Sequence, residues 1–299
     1  MNRVGLDIGA TKVLGVVLDD SGRVIAQVRE PSAQGVDGVV ATAAKVVDAL
    51  RDATGASPRG PIGVGVPGLV DVASGSVQHA VNLGLDDQAP LRDLLADRLD
   101  HPVVLENDVN AATLGAAEAT GARDLALISV GTGLAAGLVL DGVLRRGVHA
   151  AAGEIGHVPV DPAGRRCECG QVGCLETIAS GSAVARAWPS AVRPPAVALF
   201  AAAEAGDTDA LAVRDALAGG IAAAVRMLCL AVDVDHVVLG GGVAQLGEPL
   251  AEVVRRALRD QARDSAFLSV LGLAERISVV PSDIPVAAVG AALLGRVDR

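Results

Sequence analysis

The chain has 299 residues, of which 51% are hydrophobic and 20% charged, a composition typical of a well-buried globular protein long enough for two domains. Its net charge of −10, with no basic cluster longer than a pair such as Arg145-Arg146, argues against a nucleic-acid partner. The aromatic residues are only Trp188, Phe200 and Phe267, so a bound sugar or base must be held mostly by hydrogen bonds and aliphatic contacts.

No membrane span or export signal is expected from the sequence. No apolar run reaches the roughly 18 to 20 uncharged residues that a membrane helix needs. The N-terminus, MNRVGLDIG, enters a strand pattern without the charged and apolar regions of a secretory signal. We therefore expect a cytoplasmic protein with no membrane partner.

The first 120 residues alternate between strand and helix patterns. Three short strands joined by tight turns come first and predict a β-meander. Apolar residues spaced three or four apart then predict an amphipathic helix. The expected elements of this part are strands at 4–9, 13–18, 23–28, 62–66 and 103–105, and helices at 37–53, 91–99 and 109–120.

A second copy of the N-terminal pattern begins at Leu125. Both copies read as strand, glycine-rich turn, apolar strand, Leu-Asp turn and strand, at a constant offset of 122 residues. The repeat predicts two similar lobes facing each other across a cleft, and two ordinary hairpins of similar sequence are the alternative. The aligned residues are Gly9 with Gly131, Gly15 with Gly137, and Leu18-Asp19 with Leu140-Asp141.

Helical patterns dominate the second half of the chain. They cover most of 176–233 and again about 244–259, and a small-residue helix closes the chain at 286–294. Strands are predicted at 236–239 and 277–280. The expected domains are an N-terminal α/β lobe at 1–119, joined by the C-terminal helix 285–299, and a C-terminal α/β lobe at 120–284.

Cys167, Cys169 and Cys174 lie close together in one glycine-rich loop. Three thiols leave one over in any disulfide pairing, and Cys167 and Cys169 are too close in sequence to reach disulfide geometry easily. With His157 they form the Cys3His set that suits tetrahedral zinc, and four protein ligands leave no open position. We therefore predict a structural zinc site, with metal-free thiols as the alternative. Cys229, inside an apolar helix, is expected to be a core residue.

Two carboxylates, Glu154 and Glu176, belong to the same loop region. A metal-held loop would fix them beside a cleft. Carboxylates accept hydrogen bonds, and a site that reads hydroxyl groups gains specificity from buried partners that the wrong ligand leaves unpaired. The loop is therefore a candidate site for recognising a ligand with hydroxyl groups.

Glu106, Asn107, Asp108 and Asn110 place four polar side chains at a junction between a strand and a helix. One Asn or Asp at such a place is often only a helix N-cap, and this alternative stays open for each of them. Four polar residues in five positions exceed what a cap needs. A carboxylate at the end of an apolar strand is well placed as a general base.

Two turns expose backbone N–H groups and hydroxyls that can surround phosphate oxygens. They are Asp7-Ile-Gly-Ala-Thr-Lys12 and Gly131-Thr-Gly133, and neither is a Walker A loop or a G-x-G-x-x-G fingerprint. Each alone is better explained as a hairpin turn, but their equivalent places in the two copies favour a shared role. Gly240-Gly-Gly, between a strand and a helix, offers a third place for close approach to a nucleotide.

Together these motifs resemble the ROK family of sugar kinases and sugar-responsive repressors, over essentially the whole chain. The most specific part is the Gly-His pair at 156–157 combined with Cys167-x-Cys-Gly-x-x-Gly-Cys-x-Glu176. The resemblance implies an actin-like, RNase-H-like duplicated α/β fold with two lobes. It also implies ATP with magnesium, a hexose phosphorylated at its 6-hydroxyl, and glucose as the commonest substrate.

The resemblance also implies roles for individual residues. Asp108 resembles the base that takes the proton from the sugar 6-hydroxyl, and His157 would contact both zinc and sugar. The other implied positions are Asn82, Asn107, Glu154 and Glu176 for the sugar, Asp7 for magnesium, Gly9, Thr11, Lys12, Gly131, Thr132 and Gly133 for the phosphates, and Gly240 and Gly241 for adenosine.

The sequence departs from the family pattern at Ala10, Leu85 and Ile178, where a glycine, a tryptophan and a tyrosine are common in the family. The sugar therefore stays open among glucose, N-acetylmannosamine, N-acetylglucosamine, fructose and allose. A non-catalytic sugar sensor is the second hypothesis, disfavoured because the first strand begins by Val4 and no helix-turn-helix is expected ahead of it. Polyphosphate as an alternative donor stays open, and the family implies a homodimer or homotetramer.

Overall fold

The computed structural model describes residues 2–55, 58–85, 87–281 and 283–295. Contacts divide this part of the chain into two compact units. Each unit contains a hydrophobic core built around its own sheet. The first unit takes in the described residues of Met1–Gly121, Arg146–Ala150 and Ile284–Arg299, and the second those of Ala122–Arg145 and Ala151–Asp283.

The elements of the described residues agree closely with the sequence-based expectations. The strands are β1 (Arg3–Ile8), β2 (Lys12–Leu18), β3 (Val24–Pro31), β4 (Ile62–Val66), β5 (Leu69–Asp71), β6 (Ser76–Gln78), β7 (Val103–Asn107), β8 (Leu125–Val130), β9 (Leu134–Leu140), β10 (Val143–Leu144), β11 (His236–Gly240) and β12 (Ile277–Val279). The helices are α1 (Gly35–Thr54), α2 (Leu91–Leu99), α3 (Asp108–Thr120), α4 (Gly181–Ala187), α5 (Pro195–Glu204), α6 (Thr208–Val232), α7 (Glu248–Ala262), α8 (Ala266–Leu271) and α9 (Val286–Leu293).

The first unit is built on a five-stranded sheet in the order β3-β2-β1-β4-β7. The hairpin-linked strands β1, β2 and β3 pair antiparallel, whereas β4 and β7 extend the sheet in parallel to β1. Helix α1 covers the sheet with its buried apolar residues, among them Val39, Val46 and Leu50, as its periodicity predicts. The carboxyl ends of β1, β4 and β7 therefore lie at one edge of this sheet.

Helix α9 packs against the first sheet and α3 at backbone contact distance. A Cβ atom added to Gly5 or Gly63 would lie 2.1 or 1.8 Å from a carbonyl oxygen of α9, and one added to Gly115 of α3 would lie 1.9 Å from another. Such distances exclude any side chain at these positions. The small residues of α9 and the glycines that face it therefore allow α9 to pack closely against both α3 and the sheet.

The second unit repeats the topology of the first. Its sheet has the order β10-β9-β8-β11-β12, in which β8, β9 and β10 pair antiparallel and β11 and β12 pair in parallel. β8 and β9 occupy the positions of β1 and β2 shifted by 122 residues, so the expected duplication is confirmed. The turns between the first two strands are equally long, at 9–11 and 131–133, but the pairing register differs by one residue, because Val130 pairs with Leu134 where Ile8 pairs with Val13. The turn between the second and third strands is shorter in the second copy, at 141–142 against 19–23.

Helix α6 is the longest helix described, with 25 residues. By length and composition alone it would be able to cross a membrane. Its residues Leu217, Ile221 and Val225 are instead buried in the core of the second unit, as expected of an apolar core helix. The sequence-based expectation of no uncharged run of membrane length is compatible with this helix, because Arg214, Asp215 and Arg226 interrupt it.

Two expectations about element bounds need correction. The helix expected over 244–259 is a 3₁₀ turn at Val243–Leu246 followed by α7, because Gly247 between them has φ 67° and ψ −139° and interrupts helical geometry. The strand expected at 103–105 continues to Asn107, since it pairs along its length with β4. The polar cluster after this strand therefore begins on the strand itself and not after it.

Candidate active site

The metal-ligand cluster is assembled within the second unit. The ligand atoms of His157, Cys167, Cys169 and Cys174 all lie within 4.8 Å of one another. The Cys167 Sγ to His157 Nδ1 distance is 3.8 Å and the Cys169 to Cys174 Sγ distance is 3.6 Å. A tetrahedron with zinc–sulfur bonds of about 2.3 Å has edges of roughly 3.8 Å, so the four donors fit zinc in both chemistry and spacing.

The backbone of the loop explains why glycines separate these ligands. Gly170 and Gly173 have φ values of 94° and 75°, in the left-handed region that favours glycine. A Cβ atom on Gly173 would also lie 1.7 Å from the carbonyl oxygen of Asp161. Isolated bridges between Pro159 and Cys174 and between Arg166 and Val172 close the loop. The loop is therefore folded around the cluster by its own backbone.

The thiols of the cluster differ in environment before any metal binds. Burial and a hydrogen bond to Glu176 raise the pKa of Cys167 to about 12, whereas hydrogen bonds from Gln171 lower the pKa of Cys169 to about 6. Metal coordination requires the thiolate form of each ligand and releases its proton. Cys169, the exposed thiol, is thus the ligand most readily deprotonated in the free protein.

Glu176 joins this cluster to the glycine turn between β8 and β9. Its Oε1 accepts a 3.0 Å hydrogen bond from the Cys167 thiol and lies 3.6 Å from His157 Nδ1. A Cβ atom on Gly133 would lie 2.8 Å from Oε2 of the same carboxylate. One carboxylate thus contacts the metal-ligand cluster and lies against the turn predicted to hold phosphate, a link that the sequence spacing did not suggest.

Glu154 lies on backbone that is held by the neighbouring strand. It precedes the 3₁₀ turn Ile155–His157, and its side chain is exposed. The carbonyl of Gly153 before it accepts a hydrogen bond from the Ala136 N–H, and a Cβ on Gly153 would lie 1.8 Å from the Ala136 oxygen. Strand β9 therefore sets the backbone that carries Glu154 and His157.

The Gly131-Thr132-Gly133 turn is held by the beginning of α4. The Gly131 carbonyl accepts the Gly181 N–H at 2.7 Å, and the Thr132 carbonyl accepts the Ser182 N–H at 3.2 Å. Space is open around Gly131, because, apart from its two chain neighbours, no atom of the described residues comes within 4 Å of a Cβ placed there. The carbonyl groups of Gly131 and Thr132 therefore fix the turn to α4, while the space next to the Gly131 Cα stays open.

Two glycines at the end of β11 have different reasons to be glycine. Gly241 has φ 84°, and its added Cβ would lie 2.6 Å from the Val130 carbonyl carbon and oxygen. Gly240 is the last residue of β11, and a Cβ there would make only ordinary contacts at 3.5 Å. Gly241 is thus fixed by its close approach to the strand that leads into the Gly131 turn.

In the first unit, two carboxylates lie close together at the sheet edge. Asp7 of β1 pairs with Gly65 of β4, and a Cβ on Gly65 would lie 3.6 Å from the Cα of Asp108. Burial and the nearby Asp108 carboxylate raise the pKa of Asp7 to about 6, while Lys12 opposes this rise. A bound divalent cation would offset this concentration of negative charge.

The turn between β1 and β2 contains the other predicted phosphate contacts of this unit. The Gly9 N–H donates to the Lys12 carbonyl at 2.9 Å, and the Ser32 hydroxyl donates to the Gly9 carbonyl. The side chain of Thr11 is exposed and that of Lys12 is partly buried. Ser32, which follows β3 and which sequence reasoning did not single out, thus holds the turn from the neighbouring strand.

Asn107 has the N-cap role that the sequence left open. Its Oδ1 accepts hydrogen bonds from the N–H groups of Val109 and Asn110, and its Nδ2 donates to the Gly68 carbonyl at 3.2 Å. One amide hydrogen of Nδ2 remains for a ligand. Asp108 is consequently the first residue of α3, and its Oδ1 accepts a hydrogen bond from the Val109 N–H.

Asn82 lies on a 3₁₀ turn at Val81–Leu83, with an exposed side chain and a carbonyl that accepts a hydrogen bond from Gln34 Nε2. In the part of the chain that the structure describes, it makes no hydrogen bond with Asn107. A cavity of about 220 Å³ between α6, α7 and α8 is lined by residues such as Arg226 and Arg259 and by none of the predicted site residues. The predicted site does not coincide with this cavity.

Comparison with known proteins gives consistent matches along the chain. A sequence model described as the ROK family matches residues 3–295. A glucokinase of Halalkalibacterium halodurans is 33% identical over 278 residues, which cover 85% of this chain and 84% of that protein. The structure of a ROK hexokinase from Thermus thermophilus matches with a TM-score of 0.80 and 31% identity over 99% of this chain and 98% of that chain. A ROK family glucokinase from Streptomyces griseus, solved with glucose and AMPPNP, matches with a TM-score of 0.81 and 29% identity over 99% of both chains.

Proposed function

The chain belongs to the ROK family, and on that premise we propose that it transfers the terminal phosphoryl group of ATP to the 6-hydroxyl of a hexose, with glucose as the substrate. The observation that carries the proposal is the place of Asp108, the first residue of α3, beside the partly buried Asp7. A carboxylate at such a place can act as a base, and a second one can face a cation. The similarity to glucokinases supports glucose over the other hexoses.

Asp108 is the residue we assign to proton removal. As the 6-hydroxyl attacks the γ-phosphate, its proton passes to the Asp108 carboxylate, which contributes on the order of 10² to 10⁴ to the rate. Most of the remaining acceleration in phosphoryl transfer comes from positioning and from neutralising phosphate charge. The capped first turn of α3 keeps the base in one place, because Asn107 and Asp108 both accept N–H groups there.

The other roles are assigned by unit. In the first unit, Asp7 would hold Mg²⁺ that accompanies ATP, Gly9, Thr11 and Lys12 would contact phosphate, and Asn82 and Asn107 would contact the sugar. In the second unit, the Gly131-Thr132-Gly133 turn would contact phosphate and Gly240 and Gly241 the adenosine. Magnesium, when bound, neutralises phosphate charge.

In this proposal the sugar is bound by Glu154, His157 and Glu176. Zn²⁺ would be held by His157, Cys167, Cys169 and Cys174, and its chemistry is structural because all four positions are protein donors. It would act on the sugar by fixing His157, which is also assigned to the sugar, and the loop that carries Glu176, whose carboxylate lies beside His157 and Cys167. Carboxylate acceptors fixed in this way select hydroxyl groups, in a chain that has few aromatic residues to stack on a sugar.

The experiment that tests the proposal measures ADP release from Mg-ATP with glucose, mannose, fructose, allose, N-acetylmannosamine and N-acetylglucosamine in separate assays. We expect the highest kcat/KM with glucose. A preference for an N-acetylated sugar would refute the choice of substrate, and no ADP with any sugar would refute the kinase activity. Replacing ATP by polyphosphate tests the donor, with glucose 6-phosphate as the readout because this donor releases no ADP. We also propose that the protein is cytoplasmic and forms a homodimer or homotetramer. Sedimentation velocity measures this oligomeric state.

A further inference from the structure

An ion pair between the buried Glu106 and the partly exposed Arg146 lies next to the first turn of α3. Glu106, the residue before the cap on β7, is only 2% exposed and its Oε2 accepts a hydrogen bond from Arg146 Nε. Its Oε1 accepts the Asn107 N–H at 2.9 Å and the Asn110 Nδ2 at 3.0 Å. One carboxylate thus holds Asn107 and Asn110, on either side of Asp108, and among the described residues it pairs with one cation, Arg146.

The Glu106 side chain therefore accepts three hydrogen bonds, from Arg146, Asn107 and Asn110. A buried carboxylate is tolerated only when it is paired and its oxygens are satisfied by hydrogen bonds. Removing Arg146 would leave the Glu106 carboxylate buried without this counter-charge, two residues before Asp108. We expect Glu106 to turn towards water, where its charge is solvated, and so to release Asn107 and Asn110 from their present positions.

We propose that Arg146 is a positioning residue for the general base: by pairing with Glu106 it fixes the first turn of α3 and so aims the Asp108 carboxylate. This inference rests on the proposed kinase function. Arg146 acts through Glu106 and touches no reacting atom in this account. It lies forty residues along the chain from Glu106, in the short segment Arg146–Ala150 that belongs to the first unit.

The neighbouring arginine provides a matched control. Arg145 is exposed to a similar degree, with 45% of its side chain accessible against 39% for Arg146. It bonds instead to the Leu140 carbonyl and pairs with Asp141, both in the second unit. Loss of either arginine removes the same charge, but only loss of Arg146 leaves a buried carboxylate unpaired.

The test compares Arg146→Ala, Arg145→Ala and the double variant Glu106→Gln with Arg146→Ala. The readouts are kcat per glucose-binding site, with sites counted by calorimetry, and the glucose Kd. We expect Arg146→Ala to lose about 10- to 100-fold in kcat, since a misplacement of about 1 Å costs on the order of 10²-fold. The glucose Kd should change less than kcat, and Arg145→Ala should resemble the wild type.

The double variant decides whether Arg146 works through Glu106. After Glu106→Gln, the side-chain amide oxygen can still accept the bonds from Asn107 and Asn110 without needing a cation, so kcat should recover relative to Arg146→Ala. No recovery would overturn the inference, as would an Arg146→Ala variant with wild-type kcat per site. The double variant also keeps the test valid where the single variant does not fold.

Hydrogen exchange at the amides of Val109 and Asn110 separates this inference from the kinase function. We expect faster exchange there in Arg146→Ala than in Arg145→Ala, whether or not glucose is the substrate. Unchanged exchange would overturn the positioning role. A wild-type protein that releases no ADP with any sugar would refute the kinase function alone.

Discussion

Gly241 offers the sharpest test of how the second unit is packed around its glycine turn. With φ 84°, it lies in a region where an alanine costs about 1 to 2 kcal/mol. Its Cβ would also lie 2.6 Å from the Val130 carbonyl, and relieving such an overlap costs about 1 to 3 kcal/mol. Reduced freedom of the unfolded chain returns about 0.4 to 1 kcal/mol. Gly241→Ala should therefore destabilise the protein by about 1 to 5 kcal/mol.

Gly242→Ala is the matched control one residue further on. Gly242 has φ −64° and ψ −34°, and no atom lies within 4 Å of its added Cβ. Alanine there should be neutral or stabilise by up to about 1 kcal/mol. Urea unfolding followed by the fluorescence of Trp188, the chain's one tryptophan, reports on the second unit, whose core it contacts. Equal midpoints for the two variants would refute the reasoning.

Two further predictions concern Asp7 and the metal-ligand cluster. Because the pKa of Asp7 is raised from 3.8 to about 6, the folded protein holds a proton there that the unfolded chain has lost, and stability should fall by about 2 kcal/mol as pH rises from about 4 to 6. Asp7→Asn should flatten this part of the stability curve in urea titrations, and an unchanged slope would contradict the assignment. Cys169→Ser should lower bound zinc, measured by mass spectrometry of the metal, and weaken glucose binding by about tenfold or more, while Cys229→Ala retains the metal. Full zinc occupancy in Cys169→Ser would show that the cluster is not the metal site.

Much of the fold follows from local patterns in the sequence. The repeat at Leu125 and the period of the apolar residues predict the strands and the hairpins of both units, because these are set by short segments. The parallel pairing of Gly5 with Gly63 joins distant segments, and no local pattern predicts it. Helix α9 follows from its small residues, which suit close packing against Gly5, Gly63 and Gly115. The break at Gly247 is less visible, because a glycine inside a helical pattern is often tolerated and its φ of 67° depends on packing around it.

The candidate site is only partly predictable. The spacing of Cys167, Cys169 and Cys174 predicts a metal cluster, since nearby ligands must meet in space. The contact of Glu176 with Gly133 and the pairing of Glu106 with Arg146 join residues about forty apart, and no local pattern marks such pairs. Each pair meets because the fold of its unit brings the two residues together.

Asn107 and Gly240 show a second limit of sequence reasoning. A helix cap and a sugar contact require the same amide, and the structure assigns the cap while leaving one N–H for a ligand. Gly240 and Gly241 look equivalent in sequence, yet only Gly241 has positive φ. In both cases the residue type is compatible with two roles, and backbone geometry determines which of them is required.

The most direct test of the central claim is glucose-dependent ADP formation by the wild type and by Asp108→Asn, with glucose binding measured by calorimetry in both. The account predicts that the wild type turns over and that the variant binds glucose with similar affinity but loses on the order of 10² to 10⁴ in kcat. Wild-type turnover in Asp108→Asn would contradict the assignment of Asp108 as the base.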